Sequence, residues 1–306
     1  MYLKKILTVT LIIIIIPYII VNLFVKDDEI KFNYVSNMVV RVKREDTGKI
    51  DRVPFEEYVT GVLAGEMPVS FDIEALKAQA VAARSYVMKK MAYNKNNDHD
   101  VVDTVMNQVY LDDDYLKAVW KETYTEKINK IKTAIAETKG EYLEYDGQVV
   151  EAFFFSTSVG KTENSEDVFI NKLPYLRSVD SIWDKEVSPV FNDYFQFSLS
   201  DFYTKLNLPY KEKVSIEILK TTSTGRIKEL NINGKKFTGG DVFGKLGLRS
   251  TYFKITQSGS VVYIETTGYG HGVGMSQYGA EGMARNGYKY TEILKYYYQG
   301  VEIKKI

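Results

Sequence analysis

Residues 73–91 read IEALKAQAVAARSYVMKKM, and no other stretch limits the fold as much. Alanine is the strongest helix former, and neither glycine nor proline interrupts the run. Ser70 or Asp72 stands in place to cap it, with Glu74 in the first turns. A helix from Ile73 to about Met91 is expected. Its Ala75, Ala78, Ala80, Ala82 and Ala83 carry little bulk, so another backbone can approach it closely.

The segment before it ends on an acid. Asp51-Arg-Val-Pro54 reads as the opening of a helical stretch, with Pro54 suited to a helix start. Phe55, Tyr58, Val59, Val62 and Leu63 recur at helical spacing and define a core-facing side. Ala64-Gly65-Glu66-Met67-Pro68 then stops the pattern at Pro68. A carboxylate at a helix end, beside walls of low polarity, can have its pKa moved toward neutrality and do proton-transfer work. Taken alone, Glu66 is as well explained as a surface carboxylate.

Further along, Tyr115 to Lys139 reads as one helix ended by Gly140, and Glu141 to Phe155 as strands turned at Asp146-Gly147. Ser156 to Ser165 is a polar loop. Strand signals at Ser215–Leu219, Ile227–Ile232, Lys254–Thr256 and Val261–Thr266 alternate irregularly with helices at Ser200–Leu206 and Thr291–Tyr298. Strict strand-helix-strand alternation is absent, which points to an α+β fold. The expected organisation is a lead-in over 27–50 and one domain over 51–306, with a smaller subdomain around 191–254.

The chain of 306 residues balances 40 basic against 40 acidic side chains, which argues against a nucleic-acid partner. It has no cysteine, so disulfides, thiol nucleophiles and thiolate metal sites are excluded. Ile6 to Val25 carries no charge and is long enough to cross about 30 Å of hydrocarbon as a helix. Lys4 and Lys5 precede it. The expectation is a cytoplasmic tail and single transmembrane helix over 1–26, with the rest of the chain extracytoplasmic on the cell membrane. A cleaved signal peptide competes with that reading, but its apolar region is usually shorter.

Several motifs in order resemble the stage II sporulation protein D family. They are Val53-Pro-Phe-Glu-Glu-Tyr-Val-Thr-Gly-Val-Leu-Ala-Gly-Glu-Met-Pro68, Glu74-Ala-Leu-Lys-Ala-Gln-Ala-Val-Ala-Ala-Arg-Ser-Tyr86, Gln108-Val-Tyr110, Phe155-Ser-Thr-Ser-Val-Gly-Lys-Thr-Glu-Asn164, Gly247-Leu-Arg-Ser250 and Gly270-His-Gly-Val-Gly-Met-Ser-Gln-Tyr-Gly-Ala280. The resemblance implies a membrane-anchored lytic transglycosylase that cuts peptidoglycan strands already stripped of stem peptides. It would leave 1,6-anhydro ends during forespore engulfment, alongside an amidase and a polytopic membrane protein. It also implies that Glu66 is the catalytic glutamate, with no cofactor. Some members bind zinc in a segment like Cys-Asp-Thr-Thr-His-Cys-Gln-Val-Tyr. Here Val102, Met106 and Asn107 replace those ligands, so no metal is expected. His99 is a lone imidazole in a polar loop.

A glycosidic cut by one carboxyl needs that group first as acid and then as base, so Glu66 must start protonated. Candidate substrate-binding groups are Gln79, Arg84 and Ser85 on the alanine-rich helix, Ser156 and Ser158 in the hydroxyl-rich loop, and His271, Gln277 and Tyr278 in the glycine-rich segment. Arg84 could orient an acetamido carbonyl or a lactyl carboxylate, or simply form an ion pair. A Ser-His hydrolase centred on His271 is a rival mechanism, although no serine there has a nucleophile-elbow context. A wall-binding activator of an amidase is the non-enzymatic alternative.

Overall fold

The alanine-rich run forms a single helix, Ile73–Tyr93, in a computed structural model that describes residues 10, 11, 13–16, 29, 30 and 37–306. Asp72 caps it by accepting the Glu74 N–H at 2.8 Å. Every residue from Ala75 to Val87 is buried, so this helix is enclosed on all sides rather than along one stripe. Helices Phe55–Glu66, Tyr124–Glu137, Gln277–Arg285 and Tyr290–Tyr297 pack around it. Leu63, Leu76, Val81, Ile131, Met283 and Leu294 belong to the main apolar core.

Polar residues on so buried a helix need partners. Arg84, fully buried, donates to both Glu56 carboxylate oxygens at 2.9–3.1 Å. It also donates to Thr138 Oγ1 at 3.0 Å and to the Ile135 carbonyl at 3.2 Å. Glu56 in turn accepts the Gly140 N–H. Ser85 donates to the Val81 carbonyl and accepts the Leu143 N–H, both at 2.8 Å. These bonds tie the central helix to its neighbours and to strand Glu141–Tyr145.

Short sheets flank the helices. Val39–Lys43 pairs antiparallel with Ile50–Pro54 and parallel with Val101–Val102. Glu141–Tyr145 pairs with Gln148–Val149 and with Glu302–Lys305. A second apolar cluster, separate from the first, gathers Leu199, Phe202, Leu206, Leu230, Val242, Leu246, Val262 and Ile264. It lies under two three-stranded antiparallel sheets. One is Asn192–Ser198, Val261–Thr267 and Phe253–Ser258; the other is Ile216–Thr221, Ile227–Ile232 and Lys235–Thr238. Helix Gly239–Leu246 is capped by a reciprocal Thr238–Asp241 box and stopped by Gly247.

Three expectations need correction. The helix expected from Asp51 begins at Phe55, because Ile50–Pro54 is a strand whose Val53 faces Val40 in register. The helix expected over 115–139 is two, Asp113–Trp120 and Tyr124–Glu137. The break at Lys121, with φ +47, lets Leu116, Tyr124 and Ile128 share a small core of their own. Most of the expected transmembrane segment over 1–26 lies outside the described residues. Among the described residues no helix is long and apolar enough to cross a membrane. The single-pass anchor, and the cell-membrane placement drawn from it, are therefore corrected.

Candidate active site

A cleft of about 730 Å³ opens where helix Phe55–Glu66 ends, facing two chain segments that are far apart in sequence, 153–156 and 269–278. Two-residue parallel pairing, Phe154 to Met275 and Phe155 to Ser276, joins those segments into one wall. An antiparallel bridge between Thr157 and Tyr269 extends it. The approach is close enough to require glycine at one point. Gly274 has φ +83, and a Cβ there would lie 2.0 Å from the Phe153 carbonyl oxygen.

Glu66 is the last residue of its helix. Gly61 and Gly65 lie one turn apart, and the chain at 109–111 passes directly over them. A Cβ on Gly61 would stand 2.4 Å from the Leu111 carbonyl oxygen, and one on Gly65 2.6 Å from that of Val109. The close passage brings the Val109 N–H to Glu66 Oε1 at 2.6 Å, fixing the carboxyl. From the opposite wall, Gln277 Nε2 donates to the Glu66 backbone carbonyl at 2.9 Å. Burial raises the Glu66 pKa to about 7, although the Val109 N–H and the Gln277 amide pull against it. Gly65→Ala is expected to destabilise the fold by roughly 1–3 kcal/mol, since its methyl meets backbone that cannot yield. Urea unfolding checks this; an unchanged midpoint would show that the 109–111 segment moves freely.

The far wall rests on Asp184, which is fully buried. It accepts the Ser158 N–H at 2.8 Å, the Ser181 hydroxyl at 2.6 Å and the Ser276 hydroxyl. Burial raises its pKa, with the serine donors opposing the shift. Ser276 also caps helix Gln277–Arg285, and so sets Gln277 at the cleft.

His271 stands among the rings of Phe153, Phe155 and Phe169, at 5.5–6.0 Å between centroids. Its Nε2–H donates to the Phe154 carbonyl at 3.0 Å, and Nδ1 accepts the Val273 N–H at 3.1 Å. Burial first, and the nearby Arg226 charge second, lower its pKa to about 4. A neutral imidazole with both nitrogens engaged has none left to activate a serine. This geometry disfavours the Ser-His rival.

Among the sequence candidates, Glu66, Ser156, His271, Gln277 and Tyr278 line the cleft. Gln79, Arg84, Ser85 and Ser158 do not. Arg84, Ser85 and Ser158 are committed to internal hydrogen bonds, and Gln79 is wholly buried without a protein partner for its amide. Tyr86, Asn107 and the apolar surface of Met67, Phe153 and Phe169 also line the cleft, and the Val109 N–H reaches Glu66 there; residue spacing marks none of them as site groups. Spacing of Gly61 and Gly65 just before Glu66 was the available signal for the crossing segment.

Comparison with known proteins bears on this arrangement. The model of the Stage II sporulation protein family matches residues 43–145. Stage II sporulation protein D of Bacillus amyloliquefaciens is 43% identical over 275 residues, covering 88% of this chain and 80% of that protein. The chain belongs to the stage II sporulation protein D family. The Bacillus subtilis (strain 168) member is 42% identical over the same coverage. An amidase enhancer of that organism is 29% identical, covering 79% of this chain but 40% of its own. The zinc held by some members of the family does not fit here. Val102 and Met106 supply no suitable donor, and the Asn107 amide is engaged, accepting from the Val102 N–H at 2.9 Å and donating to Tyr86 Oη at 3.2 Å.

Proposed function

We propose that this sporulation-family protein is a lytic transglycosylase. It would cleave the bond between N-acetylmuramic acid and N-acetylglucosamine in peptide-stripped glycan, during engulfment. The observation that carries this reading is that Glu66 is the only carboxylate among the described residues lining the cleft. Ordinary glycoside hydrolases work with a carboxylate pair. One carboxyl suffices when the substrate supplies its own nucleophile.

The neutral Glu66 carboxyl gives its proton to the glycosidic oxygen as the C1–O bond breaks, releasing the N-acetylglucosamine hydroxyl. The muramic 6-hydroxyl oxygen then bonds to C1, and its proton passes to the Glu66 carboxylate. The 1,6-anhydro ring forms, Glu66 is restored, and no water is consumed. The raised pKa supplies the starting proton, and the Val109 N–H stabilises the intermediate carboxylate. Tyr278, Phe154 and Phe169, which keep exposed surface in the cleft, would offer faces on which sugars stack. Ser156, Gln277 and His271 lie in the same surface and are proposed to position the glycan.

Likeness to an amidase enhancer supports an amidase partner, which would supply stripped strands. It equally favours a second reading, in which the cleft binds glycan without cutting it. Mass spectrometry of amidase-treated peptidoglycan incubated with the protein separates them. Anhydro-muramic ends support the transglycosylase, ordinary reducing ends a hydrolase, and intact strands a binding module. The pH profile is a further test. Because the acid form is needed, kcat/KM should hold level up to about pH 7 and then fall tenfold per pH unit. A profile rising through pH 7 would mean that Glu66 works from its ionised form.

A further inference from the structure

The hairpin tip between strands Ile216–Thr221 and Ile227–Ile232 leaves its own apolar cluster and reaches behind the cleft wall. It is a tight turn, with the Thr222 N–H donating to the Arg226 carbonyl at 2.8 Å and the Arg226 N–H to Thr222 Oγ1 at 3.1 Å. Arg226 is 2% exposed. Its Nη1 donates to the Gly270 carbonyl at 2.8 Å, and its Nε lies 3.3 Å from Glu163 Oε1. Glu163, completely buried, also accepts the Thr224 hydroxyl from the same tip. The Glu163 N–H donates to the Gly272 carbonyl at 2.7 Å. The chain from 270 to 272 therefore wraps the guanidinium. A Cβ on Gly272 would lie 2.9 Å from Arg226 Nη2 and 2.9 Å from Glu163 Cγ.

We propose that Arg226 is a positioning residue of the cleft, clamping the Gly270–Gly272 turn with Glu163 so that His271 is held in the wall. The small second core thus reaches the site through the tip of its hairpin. A long cation is required for this role. A guanidinium can hold a carbonyl and face a carboxylate at once because its donors form a rigid fork, which an ammonium lacks. Burial lowers the Arg226 pKa only to about 10, so the group stays charged at neutral pH. The effect on cleavage rests on the proposed function; the effect on His271 does not.

The chain has two histidines, His99 and His271, so the imidazole nitrogens of 15N-histidine-labelled full-length protein can be read individually by NMR. In the wild type, His271 should show a fixed Nε2–H tautomer at pH 7. In Arg226→Met, with unchanged far-ultraviolet circular dichroism, the His271 signals should move toward tautomer averaging while those of His99 stay in place. On stripped glycan, kcat/KM should fall about 10- to 100-fold, as misplacement by an ångström can cause. Arg226→Lys keeps a charge in the same space and should show the same changes more weakly; it decides the matter if the methionine variant does not fold. His271 signals identical to wild type in either folded variant would overturn the proposal. Altered signals in a protein with no glycan cleavage at all would support the clamp and instead count against the transglycosylase.

Discussion

On the proposed mechanism, Glu66→Gln will reduce glycan cleavage by roughly 10²–10⁴-fold while leaving glycan binding intact, since the amide keeps the shape and loses the transferable proton. The same variant carries a stability signature that does not depend on any substrate. The folded-state pKa of Glu66, about 7, lies above its ordinary value of 4.5. Between those values the folded chain holds a proton that the unfolded chain has released, so stability falls as pH rises through that window. Glutamine removes this loss. The variant should therefore gain melting temperature over wild type at pH 8 relative to pH 5. Equal differences at both values would mean that the carboxyl is not held neutral in the fold. Retained cleavage would remove Glu66 from the mechanism.

Arg84→Ala will destabilise the fold by about 3–5 kcal/mol, because it leaves the buried Glu56 carboxylate without its cation. In a chain of this size that is a fall of roughly 5–9 °C in melting temperature. The reasoning rests on position. Arg84 sits in the packed interior, donating to Glu56, Thr138 and the Ile135 carbonyl, and it does not line the cleft. The KM for glycan, measured below the melting transition, should stay close to wild type. A raised KM with unchanged melting would return Arg84 to the substrate-binding role that its sequence context suggested.

The contrast between Glu66 and Arg84 shows how far the sequence reaches. Both stand in motifs shared with the family, and both are ionisable residues on or beside apolar helices. Helical spacing placed each on its element and marked the helix end at Pro68. It could not say which charge meets an open cleft and which meets an opposite charge. The same limit applies to the hydroxyl-rich loop, where Ser156 lines the cleft and Ser158, two residues on, turns inward to the Ser181 carbonyl.

By itself the sequence determined the α+β character, the capped alanine-rich helix, the Asp146-Gly147 turn and the candidacy of Glu66. These follow from propensity, periodicity and turn chemistry, which act between residues close in the chain. The tertiary structure alone decided the rest. It set Val109 over Gly65, paired Phe154 with Met275, engaged both nitrogens of His271 and brought Arg226 behind the cleft wall. Each of these is a meeting of distant segments, and close packing fixes which atoms touch only once the whole chain has folded.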